Sequence, residues 1–366
     1  MWNPPGLGFD PRFAKLKDLF DVDLPIVGAP MGGVAGSALA AAVSQAGGLG
    51  VLGHANLAPD SVREEIRETM ALTCRPFGIG LLFPSVKNPV AGARTAAPLP
   101  DFLRALGEPD PAFSVVEART YDYDLALERL EIAIEYGVQV LFCGLGVSEH
   151  VVERAHRGGM KVVALVGSLR AALAAERSGV DAIVAQGHEA GGHTGRTSTL
   201  VLVPQVVDAV RLPVIAAGGI ADGRGLAAAL ILGASGALIG TRLLATPEAM
   251  TASTHKASVV AMTEDNTLVS RCYTGKPSRV IRNRFTDAWS GHDAELRPMP
   301  DQWEMVAPLV APAKALGSID IANWPTGQGA VLVRREMFAQ DVVREMAYQA
   351  AALMGLPQTG GDRAEA

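Results

Sequence analysis

Cysteine is almost missing from this chain. Cys74, Cys143 and Cys272 are the three in 366 residues, too few and too scattered for a disulfide framework or a zinc site. Cys143 lies inside the apolar run 138–143 and reads as a buried, unreactive thiol. Aromatic residues are scarce as well, at 5%, although hydrophobic residues in total reach 49%, enough for a large core. The apolar content is therefore aliphatic and small, and the 40 glycines with long alanine-rich stretches suit helices and strands packed at close range. No block of Lys or Arg stands out, and the net charge of −6 argues against nucleic acid, whose phosphates call for a basic face. A basic amphipathic stretch for a membrane surface is lacking too. Gly, Ser or a charge interrupts every apolar run before about 18 residues, the length a spanning helix needs. The start, Met1-Trp2-Asn3-Pro4-Pro5-Gly6, has neither the charged nor the apolar region of a secretory signal. These absences lead to the expectation of a soluble, cytoplasmic protein that binds neither nucleic acid nor membrane.

What is present is alternation. Apolar runs at 25–29, 49–53, 77–83, 138–144, 161–166, 181–186, 213–218 and 237–241 read as strands. Helical patterns fall between them at 36–46, 60–72, 123–136, 148–157, 168–178, 204–210 and 222–232, with Asp60, Ser148, Ser168 and Asp222 where N-caps belong. Unbroken aliphatic runs, without period-two alternation, are what strands buried on both faces look like. Eight such units predict an α/β chain, a (β/α)₈ TIM barrel; a doubly wound open sheet is the alternative. Residues 87–122 have no clear period and read as an irregular insertion over one face of the barrel. Residues 246–345 hold three of the four Trp and read as a smaller, mostly helical second domain or cap. The barrel would then be 1–245, with 346–366 packing back as part of an amphipathic helix at 339–354 and a polar tail from 358.

Barrel active sites lie at the C-terminal ends of the strands. After the sixth strand comes Gln186-Gly187-His188-Glu189-Ala190-Gly191-Gly192-His193-Thr194-Gly195, two His and four Gly in ten residues. Glycines let backbone approach a ligand, and a histidine among them can act on it near neutral pH. His188 and His193 are five apart across two glycines, which fails the i, i+4 spacing of a zinc-protease helix, so no metal is expected. His193 is the candidate catalytic residue, His188 a support, and His54 a weak pocket candidate. Gly218-Gly219 and Gly240-Thr241 end the seventh and eighth strands, where barrels bind phosphate on bare backbone N–H groups. Gly28-Ala29-Pro30-Met31-Gly32-Gly33 ends the first strand and could present backbone to a flat ligand. Gly48-x-Gly50-x-x-Gly53 matches the dinucleotide pattern, but its glycines fall inside a strand and no helix opens at the third.

Together these segments resemble the nitronate monooxygenase family, once called 2-nitropropane dioxygenases. The resemblance rests on the segments around Ala29-Pro30-Met31, Gly80, Gln186 to Gly195, Gly218-Gly219 and Gly240-Thr241, with 274–285 and Gly327-Gln328-Gly329 further on, and spans roughly 20–350. It implies FMN in the barrel mouth. The phosphate would sit on Gly218, Gly219, Gly240 and Thr241. Ala29, Pro30, Met31 and Gly32 would lie along the ring, with Gln186, Gly191 and Gly192 beside it, and His193 would match the catalytic histidine. Many members carry Asn where this chain has Gly80, which would remove a side-chain contact to the flavin.

The function implied is oxidation of alkyl nitronates or nitroalkanes with O₂ to a carbonyl compound and nitrite. His193 would act as general base, for which its pKa would need to lie near working pH, or as electrostatic partner of the anionic nitronate. The same motifs resemble flavin-type enoyl-acyl-carrier-protein reductases and NAD(P)H:quinone reductases, and fold and cofactor do not separate these chemistries. A flavin-binding protein without enzymatic activity is a remoter alternative. The expected partners are a small-molecule substrate and O₂, and a homodimer is compatible with the reading.

Overall fold

The computed structural model describes residues 11–53, 57–83, 97–110 and 122–356. His54, the polar tail and much of the 87–122 insertion lie outside the described residues. The strands, in chain order, are β1 (Ile26–Gly28), β2 (Gly50–Gly53), β3 (Phe77–Leu82), β4 (Val140–Gly144), β5 (Lys161–Val166), β6 (Ala182–Gln186), β7 (Gly192–His193), β8 (Val214–Ala217), β9 (Gly236–Ile239), β10 (Thr267–Ser270) and β11 (Ser278–Ile281). Eight of them form one parallel sheet in the order β1-β9-β8-β6-β5-β4-β3-β2, and a bridge between Val27 and Leu49 joins β1 to β2. The sheet is a TIM barrel.

The helices are α1 (Pro11–Phe20), α2 (Ser37–Gln45), α3 (Pro59–Leu72), α4 (Asp101–Arg104), α5 (Tyr123–Glu135), α6 (Glu149–Arg157), α7 (Leu169–Arg177), α8 (Thr199–Ala209), α9 (Gly223–Ile231), α10 (Thr241–Leu244), α11 (Ser253–Val260), α12 (Arg284–Ala288), α13 (Asp301–Ala315) and α14 (Ala339–Leu353). Ser148 and Ser168 cap α6 and α7 by accepting from Val151 N and Ala171 N, and Asp222 caps α9 through Arg224 N and Gly225 N. Such caps contribute about 1 kcal/mol each. Asp60 does not cap. Pro59 takes the first helical position, where its fixed φ suits the turn, so α3 starts earlier with Ala58 as its cap. Helix α8 also starts five residues ahead of the expected 204, at Thr199, and runs through Pro204.

Both faces of the strands are buried, which accounts for the unbroken apolar runs. Val140 and Phe142 of β4 join the interior of the barrel with Val163, Val184 and Ile215. Leu141 and Cys143 of the same strand join the shell under the helices with Val162, Ile183 and Val203. Burial pushes the Cys143 thiol up, as suits an unreactive packing residue. Phe13, Leu16 and Phe20 of α1 pack into the interior cluster, and Leu16 lies against the start of β9 at Gly236, so α1 plugs the end opposite the site.

After α10 the chain leaves the barrel and returns with α14, which packs between α9 and α2 through Val342, Val343 and Met346. Gly223 N donates to Gln349 Oε1 at 2.7 Å, and a side chain at 223 would run into the α14 backbone. The excursion forms a cap whose core gathers Tyr273, Phe285, Trp289, Trp303 and Val306. Leu103 of α4 joins that core, so the described part of the insertion packs with the cap. Besides helices the cap contains a sheet that no alternation announced: β10, β11 and β7 pair antiparallel. Strand β11 is buried at every position, and β7 is only Gly192 and His193. The cap is thus stitched to the loop after β6.

Candidate active site

The C-terminal rim of the barrel and the cap enclose a cavity of about 1260 Å³. Ala29, Pro30, Met31 and Gly32 line it after β1, Gln186, Gly191, Gly192 and His193 after β6, Gly218 and Gly219 after β8, and Gly240 and Thr241 after β9. Every residue expected to hold the flavin or to act on the substrate is there except Gly80. Position 80 lies in β3 behind the Ala29-Pro30 turn, and a Cβ on it would overlap the Pro30 ring. Its glycine is therefore a packing necessity, and an Asn at 80 would require Pro30 to move. The glycines of the dinucleotide-like pattern are also packing positions, since a Cβ on Gly53 would overlap the Met31 backbone.

The loop after β6 is held by its polar residues. Gln186 Nε2 donates to His193 O at 2.7 Å and closes the loop on itself. Glu189 turns away from the cavity and caps α8: its carboxylate accepts from Thr199 N at 3.0 Å and from the Thr199 hydroxyl at 3.0 Å. A carboxylate at a helix N-terminus meets unpaired N–H groups and the positive end of the dipole. That hydroxyl also lies 2.9 Å from Gly218 O, so one residue links the loop to the end of β8. Gly187 leaves room for it, because a Cβ there would overlap Thr199. His188 is not part of the cavity wall: its Nδ1 lies 3.2 Å from Glu189 Oε2, and its carbonyl accepts from Arg279 Nε at 3.1 Å.

His193 is held from the cap. Its Nε2 lies 2.9 Å from Thr274 Oγ1, and Thr274 donates in turn to Lys276 O at 3.3 Å. With its proton so placed, the Thr274 oxygen accepts from Nε2–H, which assigns the tautomer and leaves a lone pair on Nδ1. Among the described residues Nδ1 has no hydrogen-bond partner, and it is not sealed from solvent in the cavity. Burial, and then the nearby Lys276 ammonium, lower the imidazole to about 4. It is neutral at pH 7.

To the cavity wall the cap contributes a second histidine, a fully buried one that the sequence reading passed over. His255 of α11 has both nitrogens engaged, Nδ1 with Thr251 Oγ1 at 2.7 Å and Nε2 with Thr326 Oγ1 at 2.8 Å. Its ring lies against Trp324, 4.7 Å between centroids. Burial, and then Lys314, lower it to about 4 also. Thr326 leads into Gly327-Gln328, where the cap meets the barrel. Gly327 N donates to Thr241 Oγ1 at 2.9 Å, and Gln328 N donates to Glu189 O at 2.9 Å. Glycine is required on both sides, since a Cβ on Gly191 would lie 2.8 Å from Gly327 N. Thr241 accepts from the cap, so its own proton is left to donate into the cavity. Thr274 and Lys276 stand in the 274–285 segment that carries the resemblance but had no role assigned; His255 and Trp324 had no local signal and join the site through contacts distant in sequence.

A family model described as nitronate monooxygenase matches residues 14–349. A probable nitronate monooxygenase of Staphylococcus saprophyticus is 32% identical over 354 residues, covering 93% of this chain and 98% of that protein. Among solved structures, a nitroalkane oxidase from Streptomyces ansochromogenes superposes with a TM-score of 0.79 at 31% identity, covering 93% of this chain and 99% of the other. FabK from Thermotoga maritima superposes with a TM-score of 0.76 at 29% identity, covering 93% and 97%. With the barrel, the glycine-rich rim and the sequence likeness in agreement over nearly the whole chain, this protein belongs to the nitronate monooxygenase family and is an oxidoreductase.

Proposed function

We propose that the protein is an FMN-dependent nitronate monooxygenase that oxidises alkyl nitronates, and nitroalkanes after loss of their α-proton, to a carbonyl compound and nitrite with O₂. The wall suits FMN. Gly218 and Gly219 hold φ of 102° and 72°, a region that favours glycine, and turn bare backbone toward the cavity beside Gly240 and the Thr241 hydroxyl. These four residues would hold the phosphate, while Ala29, Pro30, Met31 and Gly32 would flank the ring with Gln186, Gly191 and Gly192. When bound, FMN would supply the electron transfer and O₂ chemistry that no side chain can.

The observation that carries the reading is the state of His193. With Nε2–H committed to Thr274 and Nδ1 without a hydrogen-bond partner among the described residues, the imidazole is arranged to accept a proton from a nitroalkane carbon; its lowering to about 4 keeps it neutral at pH 7 and makes it a weaker base than a free imidazole. It is not charged, so the positive partner of an anionic nitronate is Lys276, which also lines the cavity. The cap shields the reacting groups from bulk water through Trp324 and Pro325. In this reading the functional units are the barrel, completed by α14, and the cap.

Anaerobic mixing of the FMN-loaded protein with propyl-2-nitronate, NADH and NADPH in turn tests the assignment. Bleaching of the flavin by the nitronate alone is expected. Bleaching by a nicotinamide, with none by the nitronate, would make the protein a flavin reductase instead.

A further inference from the structure

The cavity wall carries four cations, Arg170, Arg196, Lys276 and Lys314, and among the described residues no Asp or Glu, in a chain where Asp and Glu outnumber Lys and Arg by 38 to 32. Several arginines elsewhere find carboxylates: Arg63 pairs with Glu135 at 2.6 Å, Arg282 with Asp287 at 2.8 Å, and Arg154 with Glu131. Among the described residues the side chains of Arg170, Arg196 and Lys276 have neither an ion pair nor a hydrogen bond. The backbone brings these three to one rim. Gly195 packs directly on Gly167, so Arg196 and Arg170 flank the same contact, and Thr194 N donates to Pro277 O at 3.2 Å, which sets Lys276 beside them.

This concentration exceeds what a small nitronate needs. One negative charge beside His193 is met by Lys276, and the glycine rim proposed for the FMN phosphate follows β8 and β9, whereas the two guanidinium groups follow β5 and β6. We propose that Arg170 and Arg196 form an anion subsite that takes the phosphate or pyrophosphate group of a second ligand, larger than a simple alkyl nitronate. Paired planar guanidinium groups suit phosphate oxygens, which they can bind in bidentate fashion. The proposal rests on the reading above for the position of the flavin only.

Calorimetric titration of the FMN-loaded protein with inorganic pyrophosphate at low salt tests it. Saturable binding is expected, weakened about tenfold or more in the Arg170→Gln/Arg196→Gln double variant, the loss that follows from removing charge-assisted hydrogen bonds. FMN content and propyl-2-nitronate turnover should be unchanged in that variant, which shows that it is folded. NADPH and coenzyme A, two pyrophosphate carriers with different bodies, identify the source, and at least one should bind more tightly than pyrophosphate with the same dependence on the two arginines. No binding, binding that the double variant retains, or two carriers no tighter than pyrophosphate would overturn the subsite. Nitronate turnover that fails while pyrophosphate binding persists would count against the monooxygenase reading alone.

Discussion

The barrel wall and the cap wall each place one histidine in the same cavity, His193 half-buried and His255 fully buried. Both rings are lowered to about 4 by burial, and both have a lysine near them, Lys276 for His193 and Lys314 for His255. Their bonding differs. His255 spends both nitrogens on threonine hydroxyls and leans on Trp324, whereas His193 spends one and leaves the other toward the cavity. An equal pKa shift therefore does not mark an equal role. The unspent nitrogen does.

The sharpest way to break that contrast is to exchange amides for imidazoles. His193→Asn should keep the fold and the flavin but slow nitroalkane turnover by about 10²–10⁴, the usual worth of a positioned base. His255→Asn should leave the chemical step much less affected and instead loosen the cap, read as a lower melting temperature and faster loss of FMN. Comparable losses of turnover in the two variants would erase the distinction.

A smaller but more diagnostic effect lies at the seam between the walls. Gly327→Ala would push a methyl to 2.7 Å from Glu189 O and disturb the bond to Thr241. Overpacking of this kind costs about 1–3 kcal/mol. If Thr241 serves the phosphate, the cost should appear as weaker FMN binding, measured by fluorescence titration, with little change in the turnover of saturated enzyme.

Proton linkage should show both histidines at once. Each binds its proton less readily folded than unfolded, so the unfolded chain takes up more protons between about pH 6.5 and 4. Stability should fall as pH drops through that window, and His255→Asn should flatten the fall in a series of denaturant titrations. The smallest expected effect is that of Lys276→Gln. Because the ammonium is a lesser cause of the His193 shift than burial, its removal should move the acidic limb of kcat/KM for a nitroalkane modestly upward from about 4.

The barrel was legible because its signal is local. Strands such as β4 are apolar on both faces, and Ser148, Ser168 and Asp222 cap the helices whose starts they marked. The rim glycines were legible for a similar reason, since Gly218-Gly219 and Gly240 end strands that composition alone defines. The cap was read only in outline. Strand β11 is buried throughout and β7 is two residues long, so neither shows a period, and their pairing brings together residues nearly ninety positions apart. Glu189 carried no role that the sequence could assign. It belongs to the same short motif as His193 but serves α8, which depends on Thr199 being ten residues downstream in the right turn. Gly80 looked like a missing ligand contact and is a position with no room for a side chain.

Turnover of 2-nitropropane and of propyl-2-nitronate by one preparation of His193→Asn, each relative to the native protein, bears most directly on the role of His193. Loss of the α-proton is needed for the first substrate and already complete in the second. Nitroalkane turnover should fall by about 10²–10⁴ while nitronate turnover falls far less. Equal losses with both substrates, or none with either, would contradict a base at His193 Nδ1.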